Sequence, residues 1–177
     1  FYSDTPVGVI YNASNGVVIT ASEFQTLGLL RHASAGTQTL NLAGDNGAGV
    51  PTDVSASTFK SGATTLNVVS AGTDAAADNA VSLTGTALTT VTVTGAEDVD
   101  ITANASKVLA SADFSGSTAE EVSFSASASE AALTYKTADG TQTSALTTGK
   151  GADTITLGSK DDTVTNLSLI HISEPTR

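Results

Sequence analysis

The chain has 177 residues, enough for one large domain or two small ones with a real core. Its net charge of −11 leaves no basic stripe to neutralise phosphates, which argues against nucleic acid and against an anionic membrane surface. It has no Cys, so disulfide frameworks and zinc thiolate sites are excluded, and no run approaching 18 apolar residues, so no helical membrane insertion is expected.

Thr, Ser, Ala and Gly supply about half of the sequence, and the mean hydropathy is +0.10. Disordered chains combine low hydropathy with high charge, and this chain has neither. Short apolar residues alternating with small polar ones predict an all-β chain of stacked short strands, as a sandwich or as solenoid turns. The absence of Met, even at position 1, suggests that the chain starts inside a longer protein.

In chain order, the clearest strand is Val17–Thr20. Ala21–Leu30 follows as the one short helix expected, with Ser22 as N-cap and Phe24, Leu27 and Leu30 three apart, although Gly28 weakens it. This opening stretch, 1–34, reads as the end of a preceding unit. Residues 35–147 form a Thr/Ala/Ser-rich repeat region, with strands at Thr39–Leu42, Thr65–Val69, Val81–Leu83, Val91–Thr94, Val99–Thr102 and Val122–Ser125. Turn signals at 44–47, 72–74, Gly95 and 139–140 separate them. An internal echo accompanies them: VITASEF (Val18–Phe24) and DVSASTF (Asp53–Phe59) are each followed by TLNL (Thr39–Leu42) or TLNV (Thr65–Val68), and DITANAS (Asp100–Ser106) is a fainter copy. Strand faces that cannot be buried alone are completed by stacking such units.

The chemistry-bearing stretch comes last. Thr148–Thr156 reads T-GKGADTIT and Leu157–Thr165 reads L-GSKDDTVT, with Asp153–Leu157 as another strand. Two in-phase copies resemble the calcium-binding nonapeptide G-G-x-G-x-D-x-U-x of RTX-type secreted proteins, in which U is a large apolar residue. Gly149, Gly151, Asp153 and Ile155 take the motif positions in the first copy, and Gly158, Lys160, Asp162 and Val164 in the second. Thr148 and Leu157 stand where the first glycine belongs, and Lys160 replaces an inner glycine.

The residue types suit the metal. Calcium takes about six to eight hard oxygen ligands, glycines let a tight turn aim carbonyls inward, and aspartate adds charge. The resemblance implies the start of a parallel β-roll in which each nonapeptide is half a turn, with Gly149, Gly151, Asp153, Gly158 and Asp162 around Ca2+. Same-side neighbours would be eighteen residues apart, which places Tyr135 behind Asp153 and Ser144 behind Asp162. Neither is a carboxylate, so both sites are incomplete in this fragment and weak calcium binding is expected.

The Thr-rich phrases TTVTVTGAEDVDIT and SADFSGSTAEEVSFSAS extend the resemblance, in style, to bacterial surface-layer and RTX-type proteins. That family implies export by type I secretion, an extracellular or cell-surface location, and assembly with copies of itself or other surface components. The expected role is structural and non-enzymatic, without a small-molecule substrate. The alternatives are the non-catalytic RTX module of a secreted enzyme or toxin, and a β-solenoid adhesin. His32 stands without Cys or a native second His, and no zincin helix, nucleophile elbow or P-loop occurs. Glu97–Asp100, the acidic turn at 44–47 and the glycosylation-type triplets Asn12–Ser14 and Asn104–Ser106 are weaker site candidates. Leu167–Arg177, LSLIHISEPTR, resembles a translated sequencing-library adapter and is read as non-native.

Overall fold

The computed structural model describes backbone and side chains for residues 36–42, 62–71, 79–138 and 142–165; for the other strand residues named below it describes the backbone alone. Strands are numbered in chain order. One nine-stranded sheet holds β1 (Tyr2–Ser3), β4 (Val18–Ser22), β7 (Thr37–Ala43), β9 (Thr65–Ala71), β11 (Thr90–Gly95), β13 (Ser111–Ser117), β15 (Thr134–Lys136), β17 (Asp153–Thr156) and β19 (Ile170–Ser173). The opposite sheet holds β3 (Tyr11–Ala13), β6 (Leu30–His32), β8 (Ser57–Ser61), β10 (Asp78–Leu83), β12 (Asp98–Thr102), β14 (Glu121–Ser125), β16 (Thr143–Thr147) and β18 (Thr163–Thr165). Two short strands, β2 (Val7–Gly8) and β5 (Thr26–Leu27), pair separately.

From β7 onward the chain steps from one sheet to the other and back, and each return adds a parallel strand beside the last. This is a β-solenoid, the stacked alternative of the two architectures expected. Period-2 side chains explain it: one set of positions fills the space between the sheets and the other faces out.

The inward ladders are apolar in the middle of the chain. One runs Gln38, Leu66, Val91, Ala112, Tyr135 and Ile155 in register. On the facing sheet, Val81, Ile101, Phe124, Leu146 and Val164 line up, beside Asn79, Val99, Val122 and Ser144. Leu40, Leu42, Leu66, Val68, Val91, Val93 and Ile101 are fully buried. Phe114, Phe124 and Tyr135 interlock, with ring centroids 5.4, 5.4 and 6.0 Å apart. The outward face of the nine-stranded sheet carries Thr37, Thr65, Thr90, Ser111, Thr134 and Thr154 in one register column. Stacked hydroxyl-bearing, mostly β-branched residues suit a pleated outer surface.

Two expectations are corrected. The helix over 21–30 is replaced by strand wherever that stretch is described: Ala21 and Ser22 end β4, Thr26 and Leu27 form β5, and Leu30 opens β6. Thr26 and Gly28 are poor helix formers, and the parallel partners Leu42, Gly8 and Phe59 give the backbone an alternative. The sequence echo is also not the structural repeat. Val18–Ser22 and Ser57–Ser61 lie in different sheets, and Thr39 pairs with Asn67 rather than with Thr65. Stacking is real, but its period varies: partners lie 28 residues apart between β7 and β9 and 18 apart between β16 and β18.

Side chains from the turns tie successive coils together. Asp98 Oδ1 accepts the N–H groups of Glu120 and Glu121 of the next coil, both at 2.9 Å. Asn104 Oδ1 accepts the Ser127 N–H at 3.0 Å and its hydroxyl at 2.9 Å. Within β13, an extra residue shifts the register beside Thr92 and Thr94, and Asp113 Oδ1 closes the irregularity by accepting the Ser115 N–H and hydroxyl. Partial burial would raise the Asp113 carboxyl, but these two bonds and the nearby Lys136 charge outweigh it and hold the group below the usual carboxylate range.

The Asp98 bonds give a direct test. Asp98→Ala removes the acceptor for two N–H groups and is expected to cost about 1–2 kcal/mol in chemical denaturation. Asp98→Asn keeps an acceptor oxygen and relieves the charge beside Glu121, so it is expected to stay within about 0.5 kcal/mol of the parent.

Candidate metal centre

The two nonapeptides occupy the last coils for which side chains are described. After β16 the chain turns through Thr148–Ala152, runs along β17, turns again through Leu157–Asp162 and enters β18. Asp153 and Asp162 therefore sit at the entries to strands of opposite sheets, and the structure does not bring them together.

Gly149 and Gly151 lie flat on the preceding coil. A Cβ built on Gly149 would stand 2.0 Å from the Ser129 carbonyl oxygen, and one on Gly151 would stand 2.1 Å from that of Ala131. The Lys150 N–H donates to the same Ser129 carbonyl at 2.8 Å. These glycines are required by the close approach of two backbones. Gly158 is buried at the following turn.

Both aspartates staple coils. The Ser144 N–H donates to Asp162 Oδ1 at 2.7 Å, eighteen residues back, and this is the neighbour expected from the nonapeptide spacing. Asp153 behaves differently. Its Oδ1 accepts the Leu133 N–H at 2.9 Å, twenty residues back, while Tyr135 stands beside Ile155 instead. The step from β15 to β17 is twenty residues, two more than two nonapeptides, so the expected Asp153–Tyr135 adjacency is lost.

Asp153 is fully buried and its Oδ2 has no hydrogen-bond partner. A buried carboxylate oxygen, the carbonyls of a glycine turn and a second aspartate are the hard oxygen donors that calcium takes. They fit in kind. They fall short in number, because Asp153 has no second carboxylate in its own turn, the other turn carries only the neighbours Asp161 and Asp162, and among the described residues no three His, Cys, Asp or Glu side chains converge on one point.

The weaker sequence candidates sort out similarly. Asp98 is engaged by backbone N–H groups, and with Asp100 and Glu121 it lines a shallow depression of about 150 Å³ on the outside of the eight-stranded sheet. Asn104 is committed to Ser127, and Ser106 is buried with its hydroxyl donating to the Leu88 carbonyl at 2.6 Å. His32 lies in β6. The acidic turn at 44–47 lies outside the described residues, as do Asn12–Ser14 and Leu167–Arg177 except for Asn12, Ala13 and the backbone of β19. The sequence reading missed Tyr135 and Ser144 as a polar pair within the core. Ser144 falls in the same inward column as Val99 and Val122, a register that only the structure shows.

Compared with protein-family models, with curated proteins and with solved structures, the chain gives no match. Its function is therefore argued from its own geometry.

Proposed function

We propose that the chain is a structural segment of an exported bacterial cell-surface protein of the surface-layer kind, in which calcium consolidates the turns around Asp153 and Asp162. A parallel β-solenoid is compatible with a structural or adhesin-like role, because it makes an extended rod whose coils support one another. The observation that carries the calcium part is the pairing of buried Asp153, with its unpartnered Oδ2, to a glycine turn pressed on the Ser129 and Ala131 carbonyls. The eighteen-residue step from Ser144 to Asp162, two nonapeptides long, supports the same reading.

On this reading Gly149, Gly151 and Gly158 supply backbone oxygens, and Asp153 and Asp162 supply charge. Bound calcium would add electrostatic cross-links between coils. The role is structural rather than catalytic, the location extracellular, and the partners are further coils or copies of the same surface material. Thermal unfolding in calcium tests it. The expected result is a rise in the unfolding midpoint that magnesium does not reproduce and that is lost when Asp153 and Asp162 are both changed to Asn.

A further inference from the structure

The interior of the solenoid turns polar within one coil. On the eight-stranded sheet, the inward position held by Val99 and then Val122 passes to Ser144. One residue beyond the Thr102–Ser125–Thr147 register, Ala103 and Ala126 give way to Thr148. On the facing sheet, just ahead of the Thr134–Thr154 pair, Leu133 gives way to Asp153. Every one of these side chains is buried, so apolar interior is exchanged for polar interior. Leu146 over Phe124 and Ile155 over Tyr135 keep the stacking apolar beside them.

One coil earlier the same positions are apolar on both sides of the step. Val99 lies under Val122, Ile101 under Phe124, Ala103 under Ala126 and Ala112 under Tyr135. At the polar step, hydrogen bonds carry more of the cohesion: Asp153 Oδ1 accepts the Leu133 N–H at 2.9 Å, and the Lys150 N–H donates to the Ser129 carbonyl at 2.8 Å. A hydrogen bond traded against water adds little net cohesion, whereas buried apolar area adds most of it. In a stack whose coils rest on their neighbours, the step with the least apolar burial is where the stack parts.

We propose that residues 142–165, which carry β16, β17 and β18 with their turns, are a separate cooperative unit that opens and closes on the apolar stack ending at β14 and β15. The bonds across the step return the unit to one register at each closing. Opening needs no ligand, so this inference does not rest on the calcium reading.

Native-state hydrogen exchange of the intact chain in calcium-free buffer tests it, read residue by residue in NMR spectra. The amides of Leu146, Ile155 and Val164 are expected to exchange about a hundredfold faster than those of Val93, Ile101 and Phe124, and to share one opening constant and one dependence on denaturant. Ser144→Val restores the Val99–Val122 column. It is expected to slow exchange in β16 to β18 about tenfold and to leave β11 to β14 as they were. Equal protection on the two sides of the step overturns the proposal, as do separate opening constants for β16, β17 and β18. A Ser144→Val variant that changes protection equally in all coils overturns it too, because the step would then not divide the stack.

Discussion

Gly95→Ala is expected to destabilise the chain by about 3 kcal/mol or more, lowering the denaturant midpoint in chemical unfolding. Gly95 ends β11 with a φ of +112°, a backbone region that residues with a Cβ rarely adopt. A Cβ there would stand 1.9 Å from the Ser70 carbonyl oxygen and 2.6 Å from its carbon. These are backbone atoms of the neighbouring coil and have little room to yield. The Ser70 carbonyl already accepts the Glu97 N–H at 3.3 Å, and the Gly95 carbonyl accepts the Thr118 N–H at 2.7 Å. Displacing either coil would therefore break bonds that set the stacking. Gly116→Ala is the control. Its new Cβ would come close to the Thr94 Cγ2 methyl, at 3.0 Å, with the Val93 carbonyl oxygen at an ordinary 3.7 Å, and Gly116 is exposed, so the expected cost is below about 1 kcal/mol.

Phe124→Ala is the second large effect, with an expected loss of about 3–5 kcal/mol. Phe124 is 1% exposed and stands between Ile101 and Leu146 on its own sheet. Its ring meets Phe114 at 66° and lies nearly parallel to Tyr135 at 24°. Truncation would leave a cavity bounded by both rings, and parallel coils held in register on two sides cannot collapse to fill it. Because each coil of a solenoid rests mainly on its neighbours, the loss would be felt across the coils around β13, β14 and β15 rather than spread evenly. Phe124→Leu keeps most of the volume and is expected to cost less than about 1.5 kcal/mol. Urea unfolding of the two variants side by side separates the cavity contribution from the simple loss of aromatic contacts.

Much of the strand pattern was legible in the sequence. Val91–Thr94, Val99–Thr102 and Val122–Ser125 alternate large apolar and small polar residues, and each lies in a strand with the apolar set inward. Ser111–Ser117 was harder to read. Only Ala112 and Phe114 mark its inner face before Ser115 and Gly116 break the alternation at the irregularity. Thr143–Thr147 was obscured because Ser144, a polar residue, takes an inward position. The choice between sandwich and solenoid was beyond composition, since both use short alternating strands; parallel register between successive coils decides it.

At the candidate site, the spacing located Asp162 beside Ser144 but misplaced Asp153 relative to Tyr135. An eighteen-residue ruler works only where both half-turns are nonapeptides; it holds from β16 to β18 and fails from β15 to β17, where the step is twenty. The glycines were read as carbonyl-presenting residues. Their stacking on Ser129 and Ala131 adds a second reason for them, the approach of two backbones too close to admit a Cβ. Asp98 and Asn104 stood out only as an acidic cluster and a glycosylation-type triplet; their role in tying coils was hidden because it depends on residues more than twenty positions ahead.

The calcium dependence of the unfolding midpoint is the most direct test of the proposed role. With no three carboxylate or imidazole groups converging among the described residues, half of the stabilisation is predicted to appear at about 1 mM calcium or above. Asp153→Asn with Asp162→Asn is predicted to abolish it. An unfolding midpoint that ignores calcium throughout that range, or a rise that persists unchanged in the double variant, would contradict the account. Tight stoichiometric uptake at micromolar calcium would contradict the incomplete sites it describes.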